Sequence, residues 1–143
     1  MDSKGRVTNV TTLPTPSVFG SAFQTYLDDT TATTTSTTFT SGAGFTTASL
    51  TSAGTYRIGL FFNWAISATT SDARFRLSID GVQVGPEMRA ETSETVSQSY
   101  WEQGIFYAGL STGTHTISLD FACETAGVTL SLYQARFEMW RAS

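Results

Sequence analysis

The chain has few of the side chains that most often bind metals or form covalent links. Among its 143 residues there is one cysteine, Cys123, and one histidine, His115. A lone cysteine cannot form an internal disulfide, which is typical of a reducing compartment or of a fold indifferent to redox conditions. A typical zinc site needs several Cys or His ligands. We therefore expect no metal and no other cofactor. The sequence also shows no catalytic cluster or phosphate-binding loop, which predicts that the chain is not an enzyme.

Basic residues are scarce as well. Lys and Arg total 8 against 12 Asp and Glu, a net charge of -4, and Lys4 is the only lysine. Nucleic-acid-binding domains usually show a basic stripe, so we expect no direct nucleic-acid contact. No run of about 18 apolar residues occurs, so we expect no membrane span. Natural sheets often protect exposed edges with lysine or proline. Pro86 guards at most one edge, so we expect the N-terminal segment or neighbouring subunits to cover the edges.

The clearest positive feature is a long alternation of residue types over positions 55–66. A period of two over this length predicts a β-strand with one face on a core. Phe61 is an exception, because it points to the opposite face of that strand. The even positions of the segment are all apolar, and they are Tyr56, Ile58, Leu60, Phe62, Trp64 and Ile66.

The rest of the chain repeats this pattern, and no helix is convincing. Asp80-Gly81 predicts a tight hairpin, because a type I′ turn needs positive φ at both central residues, and we expect Val82 and Val84 to continue the inward face after it. In the last strand the apolar residues occupy even positions through Leu132 and odd positions from Tyr133 onward. Either a β-bulge or a strand buried on both faces would produce this change. The pattern predicts an all-β protein, an antiparallel jelly-roll β-sandwich. We expect about eight strands, at 19–27, 45–51, 55–66, 73–80, 82–88, 100–110, 115–123 and from 128 onward.

The length fits one domain, preceded by a segment of different composition. We expect an N-terminal arm over residues 1–18 and the jelly-roll domain over residues 19–143. Pro14 and Pro16 interrupt regular structure in the arm. An arm this poor in apolar residues needs a partner to tie it down. Its sparse apolar side chains are Val7, Val10, Leu13 and Val18.

Three kinds of reactive side chain have a structural interpretation. His115 heads an apolar alternation, which favours a hydrogen-bonded structural histidine; a Ser-His-Asp arrangement stays open, because such triads are recognised by geometry alone. Cys123 continues the same inward face and is interpreted as a small buried hydrophobe. Asp28 and Asp29 lack the spacing of a calcium loop, and a calcium site that uses backbone carbonyls is the alternative.

Aromatic residues occur on both faces of two predicted strands. One face of a strand in a monomeric sandwich is normally wetted by solvent. A second apolar face therefore indicates either a subunit interface, in which aromatic residues are enriched, or a platform for stacking sugars, and we favour the interface. In the segment 100–110, one face has Trp101, Ile105 and Tyr107, and the other has Tyr100, Phe106 and Leu110.

Two sequence patterns resemble known families. Gly54-Thr55-Tyr56-Arg57-Ile58-Gly59-Leu60 resembles the Gly-x-Tyr-x-Phe-x-aromatic strand of the tumour necrosis factor and complement globular-head superfamily, with Ile58 and Leu60 at positions where that family prefers aromatic residues. A broader pattern over residues 45–142 resembles small jelly-roll proteins of tailed bacteriophages, which are head decorations, head fibres or tail-associated domains. That pattern comprises Gly-Thr-Tyr-Arg, Thr70-Ser71-Asp72 to Arg76, Ile79-Asp80-Gly81, Gly113-Thr114-His115-Thr116-Ile117-x-Leu119 and Ala135-Arg136-Phe137-Glu138-Met139-Trp140-Arg141.

The resemblance implies a homotrimer attached to a virion, made in the host cytoplasm. We expect a capsid decoration (cement) protein on the capsid exterior that contacts the major capsid protein. The alternative is a tail-fibre or spike domain that recognises a host surface glycan, and a hydrolase that uses His115 is a distant third. We expect the arm residues Val7, Val10, Leu13 and Val18 to contact the capsid or a neighbouring subunit. Strand phase places Phe61, Tyr107, Phe137 and Trp140 near the three-fold contact of the trimer.

Overall fold

The computed structural model describes residues 20–92 and 98–143, and these residues form an all-β domain. The predicted fold class is confirmed. The arm at 1–18, with Val7, Val10, Leu13 and Val18, lies outside the described residues. In the described part of the chain no helix is long and apolar enough to cross a membrane. The strands are β1 (Ser21–Asp28), β2 (Ala32–Thr34), β3 (Thr40–Thr46), β4 (Gly54–Ile66), β5 (Ala73–Ile79), β6 (Val82–Ala90), β7 (Tyr100–Leu110), β8 (Thr116–Cys123) and β9 (Leu130–Arg141).

The strands form two antiparallel sheets that pack face to face. Sheet A has the order β1-β9-β4-β7, and the short β2 also pairs with β9. Sheet B has the order β3-β8-β5-β6. From β6 onward the chain crosses between the sheets at every connection, since β7 and β9 belong to sheet A and β8 to sheet B. A five-stranded and a four-stranded layer joined in this way form a jelly-roll sandwich.

The predicted alternation places the core as expected. β4 is a central strand of sheet A, between β9 and β7. Its even positions point between the sheets, where Phe62 and Trp64 pack on Phe75 of sheet B with ring centroids 4.7 and 5.5 Å apart. All three side chains are buried. Because burial of apolar surface is the dominant favourable term in folding, this aromatic contact is a central link between the sheets.

The predicted phase change in the last strand is a β-bulge. Asn63 of β4 pairs with Gln134, and the next residue Trp64 pairs with Leu132, which leaves Tyr133 as the extra residue. Leu132 precedes the bulge and faces the core. After the bulge the odd positions face the core instead.

Two local predictions are wrong. The strand expected at 45–51 lies earlier, at Thr40–Thr46, because the Thr- and Gly-rich segment pairs with the backbone of β8 whatever its side chains. Val82 does not continue the inward face of its strand but is 68% exposed. It directly follows the tight turn at Asp80 and Gly81, whose φ values of 52° and 80° confirm the predicted hairpin.

Candidate functional site on the outer face of sheet A

The outer faces of the two sheets differ in chemistry. On sheet B, Arg76 Nε donates to Asp120 Oδ2 at 3.0 Å, and Arg74 Nε donates to Glu87 Oε1 at 2.8 Å. Both guanidinium groups also lie over the ring of Phe39, at 4.5 and 4.9 Å from its centroid. The polar groups of this face therefore satisfy one another. Sheet A has mainly exposed apolar side chains instead.

The register of sheet A aligns its outward side chains in rows that cross the strands, and three neighbouring rows form the surface described next. Residues paired across neighbouring strands point to the same face, so each row is continuous from β7 towards β1. The first, middle and last rows are Tyr107, Arg57 and Trp140; Ile105, Gly59, Glu138 and Thr25; and Gln103, Phe61, Arg136 and Leu27.

A trough of about 580 Å³ follows the middle row across the sheet. Its floor is Gly59, which has no side chain, between Ile105 and Glu138. A Cβ atom at this position would lie 2.8 Å from Glu138 Cγ, closer than ordinary contact. The trough therefore exists because Gly59, near the centre of β4, leaves a gap in the outward side chains of that strand.

Charged groups line the trough next to its apolar wall. Arg57 Nη1 donates to Glu138 Oε1 at 3.1 Å, and the guanidinium carbon of Arg57 lies 4.2 Å from the centroid of the Trp140 ring. Arg136 has no carboxylate partner among the described residues. The local balance of two guanidinium groups and one carboxylate makes the trough slightly positive, although the chain has a net charge of -4.

An exposed aromatic shelf borders the trough. The ring of Phe61 stacks on Trp101 with centroids 4.6 Å apart and 10° between the planes. Trp101 is 50% exposed and Tyr107 is 61% exposed, and Ile105 between them on β7 is exposed as well. Contiguous exposed apolar surface marks sites of interaction with proteins, ligands or membranes. We call Phe61, Trp101, Ile105 and Tyr107 the aromatic shelf.

Three of the four residues predicted at a trimer contact share this face. Phe61 and Tyr107 belong to the shelf, and Trp140 lies beneath Arg57 with Phe23 beside it at 6.2 Å. The prediction for Phe137 is corrected, because its side chain is 2% exposed and packs in the core, with its ring centroid 5.4 Å from that of Phe45. The bulge at Tyr133 turns the odd positions of β9 inward, so the side chain of Phe137 has no surface to offer a second subunit.

Sequence reasoning did not identify the trough. The signal available was the single glycine at an outward position of β4, Gly59, within a strand of large residues. The pairing of Arg57 with Glu138, 81 residues apart, depends on register between strands and leaves no local pattern. The sequence predicts that Trp101 and Ile105 share one face of their strand, and the structure shows that this face is the outer one and that Trp101 stacks on Phe61.

His115 connects turns at one end of the sandwich. Its Nδ1 lies 2.7 Å from Asp80 Oδ2, and its Nε2 lies 3.1 Å from the carbonyl oxygen of Ser111. Both partners accept hydrogen bonds, so the doubly protonated ring satisfies both at once. The hydrogen bond to Asp80 is the main cause that raises the pKa of His115, and the same bond lowers the pKa of the Asp80 carboxyl. This geometry supports the structural interpretation of the histidine.

The remaining reactive side chains also form structural contacts. Cys123 is buried, its Sγ lies 3.0 Å from the carbonyl oxygen of Val128, and burial raises the pKa of the thiol. Asp28 Oδ1 accepts a hydrogen bond from the backbone N–H of Thr30 at 3.0 Å, which is a local turn contact. Within residues 20–92 and 98–143, no three His, Cys, Asp or Glu side chains are grouped to hold a metal.

Comparison with known proteins supports the fold and no narrower class. No protein-family model matches the chain, and no curated protein matches it. Among solved structures, a family 35 carbohydrate-binding module from an environmental isolate is 24% identical, with a TM-score of 0.42 over 68% of this chain and 66% of that chain. Dimeric latent PorU from Porphyromonas gingivalis is 11% identical, with a TM-score of 0.50 over 84% of this chain and 13% of that one.

A third structural match is to infectious bursal disease virus, Gx strain. It is 11% identical, with a TM-score of 0.47 over 87% of this chain and 38% of that chain. The chain therefore spans a small part of the latter two matched chains and about two thirds of the first. At these identities the similarity concerns the jelly-roll β-sandwich fold alone.

Proposed function

We propose that this chain is a structural protein of a bacteriophage virion, a homotrimeric decoration protein on the capsid exterior. The observation that supports it most is the asymmetry between the two outer faces. Sheet B satisfies its own charges, whereas sheet A leaves the aromatic shelf of Phe61, Trp101, Ile105 and Tyr107 exposed. Full burial of an apolar side chain of this size contributes about 1.5–3 kcal/mol. Four such side chains in each subunit give a large driving force for association.

The composition of the face suits contact between subunits. Interface cores are enriched in aromatic residues and arginine and depleted of lysine. Sheet A has Trp101, Tyr107, Arg57 and Arg136 on this face, and it has no lysine. The resemblance of residues 45–142 to tailed-bacteriophage proteins supplies the biological setting, with the major capsid protein as second partner and assembly after synthesis in the host cytoplasm.

Sedimentation of the full chain at micromolar concentration tests the oligomer. We expect a trimer, and we expect Ile105→Lys to give a folded monomer, because a charge in the centre of the shelf opposes its burial. Val82→Lys is a matched control, since Val82 is exposed on the opposite sheet. A monomeric wild-type chain contradicts the proposal.

Binding to capsids tests the second partner. Purified protein is mixed with capsids that lack it, and we expect saturable binding that is lost when residues 1–18 are deleted. Binding to host cells in place of capsids contradicts a decoration role. Such a result favours the second candidate function.

The trough favours that second candidate, a fibre or spike domain that recognises a host surface glycan. Sugar sites combine a flat apolar wall with directional polar groups, and here Phe61 and Ile105 lie beside Arg57, Glu138 and Gln103. Glycan-array binding by the full chain tests it. The discriminating variant fills the trough at its floor.

Gly59→Thr is that variant, because its side chain occupies the trough and displaces Glu138. Gly109→Thr is the matched control on the same face, since nothing lies within 4 Å of a Cβ placed there. If the second candidate is correct, glycan binding is lost in Gly59→Thr and kept in Gly109→Thr. Equal binding by both variants contradicts a trough site.

A further inference from the structure

The four edges of the two sheets are not equally protected. In sheet A, the edge strand β1 has a register shift between Ser21 and Gln24, and β2 is three residues long. In sheet B, β3 has a shift between Ser41 and Ala43. The other edge of sheet B, β6, includes Pro86 and follows an irregular register with β5. Bulges, short strands and proline are the devices by which natural sheets block unwanted pairing.

The edge strand β7 has none of these devices. It pairs with β4 through eleven consecutive residue pairs, from Gly54 with Leu110 to Trp64 with Tyr100, without a register shift. It has no proline and no lysine. Among the described residues, no strand pairs with its other side. Its one charged side chain is Glu102, on the inward face opposite Phe62, and the free backbone groups of so long and regular an edge are a template for another strand.

The sequence outside the described residues contains one segment suited to that edge. Residues 7–13, Val-Thr-Asn-Val-Thr-Thr-Leu, have five β-branched residues out of seven and no proline. β-branched residues are enriched in strands. Pro14 and Pro16 follow and separate this segment from β1. We propose that residues 7–13 of one subunit add as a strand to the free edge of β7 in a neighbouring copy of this chain.

The length of the linker favours pairing of residues 7–13 with β7 of a neighbouring subunit over pairing with β7 of the same subunit. Gly20 N donates to Arg141 O at 3.1 Å. The linker between residues 7–13 and β1 therefore joins the domain beside β9, on the side of sheet A away from β7. A strand added to the free side of β7 would lie four strand spacings from β1, a distance of about 19 Å. Residues 14–20 extend about 22–24 Å at most. To reach β7 of its own subunit, the linker would have to run almost fully extended along the end of the sheet where Gly20 and Leu110 both lie, and fixing it in that way costs conformational entropy.

This inference rests on the proposed homo-oligomer and adds how its subunits are joined. Backbone hydrogen bonds of an added strand hold it irrespective of side chain, and alternate side chains supply specificity. The new strand would extend sheet A and shield the unprotected edge. The arm would then hold the trimer together, while the aromatic shelf provides the apolar contact.

Disulfide trapping in the full chain tests the proposal. Ile105→Cys, at the centre of β7, is combined in turn with a cysteine at each position from 8 to 12. The native Cys123 is fully buried and stays out of the reaction. We expect crosslinked ladders up to the trimer on non-reducing gels, with efficient and inefficient arm positions alternating, because strand side chains alternate between faces. Val82→Cys replaces Ile105→Cys as the control and gives no ladder, since Val82 is on sheet B.

Three outcomes overturn the proposal. Crosslinked species that migrate as monomers place the arm on its own β7. Equal crosslinking by Ile105→Cys alone shows that Ile105 of one subunit meets Ile105 of another, through the aromatic shelf or through paired β7 strands, and that the arm is not what lies beside it. A trimer in sedimentation with no crosslink at any arm position leaves the proposed function standing and removes the strand addition, whereas a monomer removes both.

A proline pair provides a second measurement that does not depend on cysteine geometry. Val10→Pro removes a backbone N–H and strand geometry from the middle of the segment. We expect it to weaken trimer association at least tenfold. Thr15→Pro is the matched control, because it lies between two existing prolines, and it leaves association unchanged. Equal association of the two variants contradicts strand addition.

Discussion

The ring of Phe61 on β4 stacks on the indole of Trp101 on β7, 4.6 Å away and nearly parallel, and both rings remain exposed. The two residues are diagonal neighbours, because Trp101 pairs directly with Asn63 and Phe61 pairs with Gln103. Diagonal positions on neighbouring strands are within reach of aromatic side chains. The stack therefore fixes a flat apolar surface on the one sheet face that lacks a polar network.

A double-mutant cycle on Phe61→Ala and Trp101→Ala tests whether the stack is a unit. We expect a coupling free energy of about 0.5–1.5 kcal/mol in denaturant unfolding, as for other aromatic pairs. Phe61→Ala with Val82→Ala is the control pair and should be additive, since these residues lie on different sheets. Additivity of Phe61 and Trp101 would show that the two rings do not stack in solution.

Trp64 should be the most costly aromatic residue to truncate. It is buried against Phe75, so Trp64→Ala is expected to lower the free energy of unfolding by about 3–5 kcal/mol. Trp64→Phe should cost much less, because the indole Nε1 is buried with no hydrogen-bond partner among the described residues and its removal relieves a penalty of about 1–3 kcal/mol. Thermal and urea melts of both variants measure the difference, and an unchanged melting temperature for Trp64→Ala would refute the assigned strand phase.

The contact between His115 and Asp80 should make stability depend on pH. The pKa of His115 is raised above its usual 6.5, so its contribution is complete below that value and is lost as the pH rises through the pKa of the folded state. The pKa of Asp80 is lowered below its usual 3.8, so its contribution is present above that value and is lost on acidification. The pair therefore stabilises most between these two values.

Urea melts from pH 4 to 9 measure this dependence. We expect the wild-type free energy of unfolding to fall above neutral pH relative to that of His115→Gln, which has no titrating ring. Asp80→Asn is a suitable second variant, because asparagine tolerates the positive φ of 52° at this position. Parallel pH profiles for the wild type and both variants would show that the pair is not formed.

Removing one carboxylate from each outer face should have unequal effects. Asp120 is 8% exposed and accepts hydrogen bonds from Arg76, Ser78 and Ser118. Asp120→Ala leaves a partly buried guanidinium and two serine hydroxyls without their partner, so we expect a loss of about 3 kcal/mol or more. Glu138→Ala breaks a pair that is open to solvent, and about 0.2–1 kcal/mol is expected. Similar losses for the two variants would contradict the contrast between the faces.

Local pattern predicted most of the strands but not all of their positions. The bounds of β4 and β5 follow from period-two alternation, those of β7 follow from a segment with apolar residues on both faces, and the hairpin at Asp80 and Gly81 follows from its φ requirement. β3 was misplaced because Thr- and Gly-rich segments alternate weakly, and their pairing depends on the partner strand. β2 is the one described strand for which the sequence gave no signal, since it is only three residues long and consists of alanine and threonine.

The sequence by itself determined that this chain folds as a β-sandwich with Tyr56 to Ile66 at its centre. Alternation with a period of two is a local property, and it requires only that one side of each strand be buried. It also showed that Phe61 points away from that core and that Trp101, Ile105 and Tyr107 share one face of their strand.

Only the tertiary structure decided which outward residues meet. The register of β4 with β7 and β9 assembles the aromatic shelf and leaves the trough above Gly59, and the bulge at Tyr133 takes Phe137 out of the predicted contact. Register is set by pairing between segments that are far apart in the sequence, such as Tyr56 with Arg141, and a slip of one residue reverses every side chain. Which outward residues meet therefore depends on the pairing of distant strands, and the sequence of one strand does not reveal it.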